Sequence, residues 1–204
     1  MAITSIKTGS SFKNLTKYND FLANNAPYAP GAYESIATLT ASGGETSLTF
    51  SSIPSTYQHL EIRGIARDTI ASNSGAGIKM RFNGDTGTNY VRHNLYGDGT
   101  NAIAAGNTGF DLMSFVGGSI SDSSTASVFG ASIISIHDYT STTKNKTVRG
   151  FSGSEANTAT ANFYVVLNSG LWLNTAAITS ITMLPGQTAF KAGSTFALYG
   201  IKGA

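Results

Sequence analysis

His59, His93 and His137 are the only side chains of a type whose ordinary pKa lies near neutrality, and 25 serines surround them in the sequence. A Ser–His–acid set can therefore be drawn on paper. Nucleophilic catalysis asks for more, namely a hydroxyl held against the imidazole, often on a sharp strand-to-helix turn of the form Gly-x-Ser-x-Gly. That motif is absent. Each histidine falls in, or at the end of, a run that reads as a β-strand. The expectation is three ordinary strand histidines and no catalytic residue.

Oxygen ligands crowd into Asn83-Gly84-Asp85-Thr86-Gly87-Thr88-Asn89, and Asp98 follows within Gly97-Asp98-Gly99. Calcium takes six to eight oxygens, but these stretches lack the acidic pattern of a calcium loop. Asp and Asn beside Gly form turns more readily than cages, so no metal site is expected. Glycoside cleavage needs two carboxylates across a cleft. None of the 11 acids pairs recognisably with another. No phosphate-cradling glycine loop is present, and no cofactor is expected. Lys144-Asn145-Lys146-Thr147-Val148-Arg149 is the densest basic stretch. It reads as a solvated hairpin flank, not a nucleic-acid footprint, which needs clustered charge over a whole face.

A carbohydrate contact is the binding chemistry that the residue types do allow. Tyr90, His93 and Tyr96 lie close to Asp98 and could join aromatic platforms to a carboxylate acceptor. The single tryptophan, Trp172, sits in the apolar run Gly170-Leu171-Trp172-Leu173 and reads as core, because aromatic rings dominate core burial.

The elements that must position these residues are strands. Serine and threonine make up about a quarter of the 204 residues, while only 12% are charged, against about 25% in an ordinary soluble domain. The hydroxyls alternate with apolar residues, as in Ser47-Leu48-Thr49-Phe50 and Ile178-Thr179-Ser180-Ile181-Thr182. Period two places them on one face of a strand and predicts neutral, hydroxyl-lined outer faces. Strands are expected at 33–40, 46–51, 57–67, 77–83, 89–96, 110–116, 126–137, 146–152, 161–168, 177–184 and 195–201. In 57–67, Leu60, Ile62, Gly64 and Ala66 face in, and His59, Glu61, Arg63 and Arg67 face out. Turn signals such as Asn83-Gly84 and Pro185-Gly186 separate the runs. The class is all-β, a jelly-roll-like antiparallel sandwich over residues 33–204.

Residues 1–32 differ. Phe12, Leu15, Tyr18 and Leu22 fall on one face of a short helix, and a linker with Pro27 and Pro30 follows. So short a helix is marginal alone and must dock on something. The segment is expected to be a docking arm. The absence of cysteine excludes disulfide stapling and thiolate metal sites. No signal peptide and no membrane-length apolar run is evident.

Several stretches resemble a recurrent domain of tailed-phage virion proteins, common among phages of cyanobacteria and other marine bacteria. They are Tyr33-Glu34-Ser35-Ile36-Ala37-Thr38, Phe50-Ser51-Ser52-Ile53-Pro54-Ser55-Thr56-Tyr57 and Leu60-Glu61-Ile62-Arg63-Gly64. Further on come Arg81-Phe82-Asn83-Gly84-Asp85-Thr86-Gly87 with Tyr90, then Ser169-Gly170-Leu171-Trp172 through Ile181, and the closing Phe196-Ala197-Leu198-Tyr199-Gly200-Ile201-Lys202-Gly203. The resemblance implies a virion structural role, most readily in a tail, fibre or baseplate, with other virion proteins as partners. It carries no catalytic motif. Cyclic homo-oligomers, often trimers, are common in such assemblies, and neutral faces suit them because no desolvated charge has to be paired. A capsid decoration protein and a module binding host receptor or surface glycan are the alternatives.

Overall fold

The structure, a computed structural model, describes residues 33–71, 76–155 and 164–203. The arm residues Phe12, Leu15, Tyr18 and Leu22 lie outside the described residues. From Tyr33 onward the chain forms twelve strands and, among the described residues, no helix. They are β1 (Tyr33–Thr40), β2 (Leu48–Phe50), β3 (His59–Ala66), β4 (Ala76–Phe82), β5 (Tyr90–Gly97) and β6 (Ala102–Phe110). Then follow β7 (Met113–Ser119), β8 (Gly130–Ile136), β9 (Lys146–Ser154), β10 (Tyr164–Trp172), β11 (Ile181–Leu184) and β12 (Thr195–Ile201).

Two antiparallel sheets result, ordered β1-β12-β3-β8-β9-β10-β5-β6 and β2-β11-β4-β7. Setting aside β5, β6, β9 and β10, the remaining eight strands are wired 1-8-3-6 in one sheet and 2-7-4-5 in the other. That is the strand order of a jelly roll, two Greek keys folded together. The other four strands are two inserted hairpins. β5–β6 interrupts the step from β4 to β7, and β9–β10 interrupts the step from β8 to β11. Both add to the same edge, so one sheet has eight strands and its partner four.

Alternation fixes which side chains fill the interior. β9 and β10 are buried at every second residue, with Val148, Gly150 and Ser152 inward on β9 and Val166, Asn168 and Gly170 inward on β10. Leu60, Ile62, Ile134, Ile136 and Leu198 from the larger sheet meet Ile78, Met80, Phe82, Ile181 and Met183 from the smaller. β7 lies against β8, β9 and β10 at backbone distance. A Cβ on Gly150 would overlap the carbonyl oxygen of Val116, and one on Gly130 would overlap that of Gly118. Glycine is required there by close approach of two backbones.

The expected strands are present, with shifted ends, and one strand was not anticipated. β6 carries Ala-Ile-Ala-Ala-Gly-Asn-Thr-Gly-Phe and is exposed along most of its length, on both faces. A strand that buries neither face has no alternation to read. Two cations also depart from expectation. Arg67 stands just past β3 and is 3% exposed instead of facing solvent. Its guanidinium donates to the carbonyls of Asp122, Ser124, Thr125 and Val128, so it organises the loop before β8. Lys146 is fully buried, not solvated, and its ammonium donates to the carbonyls of Ser141, Lys144 and Thr175.

Candidate functional site

The outer face of the eight-stranded sheet is where the surface departs most from expectation. One register row crosses all eight strands: Thr38, Ala197, Arg63, Ile133, Phe151, Leu167, Leu95 and Ala104. Four consecutive members, Ile133, Phe151, Leu167 and Leu95, are 43–52% exposed. The next row on the same face holds Ala131, Gly153, Val165 and Gly97, and Val165 is also half exposed. Ile65, opposite Ala131, extends the patch onto β3. Hydroxyl pairs of the kind expected from composition lie elsewhere, as two local contacts and not a continuous surface. Thr49 and Thr182 share a hydrogen bond at 3.0 Å on the small sheet, and Thr40 and Thr195 share one at 3.2 Å at the β1 edge.

Polar groups border this patch without entering it. On one flank the row Ser135, Arg149, Ser169, His93 runs parallel to it. At the β1 end Arg63 stacks its guanidinium on Tyr33 and Tyr199, 5.5 and 5.9 Å from the ring centroids, and donates to Glu61 at 2.9 Å. The Tyr33 hydroxyl also donates to Glu61. Burial and that carboxylate push the Tyr33 phenol up to about 12. An apolar centre with a charged rim is the anatomy of a protein–protein interface.

The edges of this sheet add to the picture. β6 ends the sheet on one side and contains no charged residue and no proline. Soluble proteins usually blunt so long an edge with Lys, Pro or a cover.

The four residues considered for sugar contact do not share a surface. Tyr90 is fully buried, and its hydroxyl takes the Phe82 backbone N–H at 3.0 Å. Tyr96 faces inward and meets Tyr164 edge to face, with centroids 5.6 Å apart. His93 points to the opposite, outer face, over Gly106. Asp98 caps its own turn, accepting the N–H groups of Thr100 and Asn101. Sequence proximity brought them together, and the pleat separates His93 from the tyrosines.

The remaining histidines sit as a pair, with the rings of His59 and His137 5.1 Å apart. His59 Nδ1 accepts the backbone N–H of Asp138 at 3.0 Å. The oxygen-rich turn is used internally. Asp85 accepts from Gly87 N, Asn89 Nδ2 and Trp172 Nε1, and Asn83 Oδ1 accepts from Thr179 N and Ser180 N.

No protein-family model matches the chain, and no curated protein is significantly similar to it.

Proposed function

We propose that the protein is a non-enzymatic structural component of a tailed-phage virion, a tail, fibre or baseplate part that self-associates through the outer face of its eight-stranded sheet. The observation that carries self-association is the row Ile133, Phe151, Leu167, Leu95, apolar and half exposed on four adjacent strands. The occupant that fits is a second copy of this chain. The centre of the patch offers no charge to attract a charged ligand. The same neutral face on another copy meets it without leaving a desolvated charge unpaired. The virion assignment draws on the resemblance of residues 33–203 to virion proteins, and residues 1–32 are the proposed attachment segment.

Labelling the protein on intact particles and counting copies tests this reading. A few to tens of copies on the tail support it. Hundreds spread over the head would favour a capsid decoration protein instead. Deleting residues 1–32 should leave a folded domain that no longer joins particles.

A further inference from the structure

The inserted hairpins create a second feature, inside the sandwich. A cavity of about 270 Å³ lies between β5 and β10 of the large sheet and β7 of the small one. That is at the small end of ligand pockets, roughly 300–1,000 Å³, and suits a single ring. It reaches the surface at the exposed Ala105 of β6.

Arg92 stands in its wall. The guanidinium lies 4.6 Å from the Phe115 ring centroid and 5.5 Å from that of Phe110. Its Nη1 is buried with no acceptor among the described residues, and none of the described residues lining the cavity is a carboxylate. Burial alone lowers its pKa. Arg67 and Lys146, the buried cations among the described residues, are each wrapped in carbonyl acceptors. Arg92 is only half-buried, yet its Nη1 is enclosed without an acceptor, and a buried donor left unpaired is costly. Phe115 is held over it from an unusual backbone, with φ of 60° in the middle of β7, where the ladder to β4 shifts register. A bulky residue at positive φ is strained and persists where the surroundings enforce it.

The other walls suit a sugar ring. Tyr96, Tyr164 and Phe115 line it with aromatic rings, and Ser154 and Asn94 with polar side chains. Asn94 Oδ1 already accepts from Asn168 Nδ2 at 2.8 Å, which leaves the Asn94 NH2 group for the cavity.

We propose that this cavity binds a small carboxylate carried on a single sugar-sized ring, with Arg92 as the carboxylate ligand. A guanidinium fork matches the two carboxylate oxygens. The ligand would supply the acceptor that Arg92 lacks. The inference does not depend on the virion reading.

Titrating the ¹⁵N-labelled full chain with D-glucuronate, D-glucose and benzoate at millimolar concentration, followed by NMR, tests it. Glucuronate should shift the Arg92 side-chain signal and the amides of Asn94, Tyr96 and Phe115. Glucose, lacking the charge, should bind about ten- to a hundred-fold more weakly, the worth of a hydrogen-bonded ion contact. Arg92→Met should abolish the difference while the melting temperature holds or rises. Tighter binding of a uronate oligosaccharide than of free glucuronate would identify a polysaccharide end as the source. The reverse would identify a free sugar acid, and either supports the site. No shift with glucuronate, equal binding of glucose, or an Arg92→Met variant that loses stability but keeps binding would overturn the proposal. Benzoate binding as tightly as glucuronate would overturn its sugar part.

Discussion

The indole Nε1–H of Trp172, at the end of β10, donates to Asp85 Oδ2 at 2.7 Å, 87 residues away in sequence. Asp85 lies in the turn between β4 and β5, so one bond ties an inserted hairpin to the start of the other. The indole ring is 1% exposed and packs on Phe82 and Tyr90, with centroids 5.4 and 6.3 Å away.

Trp172→Ala should therefore cost about 3–5 kcal/mol, the range for emptying a large aromatic site. Trp172→Phe should cost less, because it keeps part of the packing and loses mainly the bond to Asp85. Chemical denaturation measures both. The wild-type fluorescence should be blue-shifted and poorly quenched by iodide. A red-shifted, quenchable indole would place Trp172 at the surface.

Asp85 itself should make stability sensitive to acid. The Asn89 amide, with help from Trp172 and Gly87, holds its carboxyl below the usual range. A depressed folded pKa gives stability that is complete above the unfolded value, near 3.9, and is lost as pH falls through the lower folded value. Asp85→Asn should flatten that part of the stability–pH curve. An unchanged curve would separate the carboxylate from the acid transition.

His137 acts in the same direction at milder pH. Burial first, then the neighbouring His59 and Arg149, lower its pKa, while Asp138 opposes them. Its contribution is present above the unfolded value near 6.5 and is lost as pH falls through the folded value. His137→Gln should weaken the loss of stability between pH 7 and 5, read from melting temperatures across that window. An identical slope in the variant would exclude His137 as its source.

Gly150→Ala should destabilise by about 3 kcal/mol, at the upper end of the overpacking range. The added methyl meets the Val116 carbonyl, which belongs to a strand and cannot swing aside as a side chain can. Gly153→Ala, where a Cβ meets nothing within 4 Å, is the matched control. Equal stability of the two variants would mean that β7 does not press on β9 in solution.

Phe151→Lys combined with Leu95→Lys, two strands apart in the row, should leave the fold intact, within about 0.5 kcal/mol per exposed site, and yield a monomer by light scattering. The wild-type chain should be oligomeric under the same conditions. A monomeric wild type at high concentration would remove the outer face as a self-association surface.

Alternation in the sequence was enough to give the class and most strand positions, because burial on one face writes period two into a strand, and the apolar run around Trp172 gave its core status. The sequence also located the turns at Asn83-Gly84 and Pro185-Gly186, since each needs particular backbone torsions. β6 was illegible for the same physical reason in reverse, as it buries neither face. The chain pattern suggested neutral hydroxyl-lined faces, but on the small sheet the Thr49–Thr182 pair shares its face with Arg81 and Lys79. Nor did the pattern suggest the apolar patch, because Phe151, Leu167 and Leu95 belong to three separate strands. Only the register aligns them. Likewise Tyr90, His93, Tyr96 and Asp98 are adjacent in sequence, yet the pleat sends His93 to the outside. Arg67, Arg92 and Lys146 look alike in a list of cations. Two are enclosed by carbonyls and one faces a cavity without an acceptor, and that difference is made by loops and strands distant in the chain. What the sequence determined is local, the side-chain alternation and turn chemistry of single segments. What the tertiary structure decided is which segments meet, because pairing register and sheet stacking join residues that no local pattern connects.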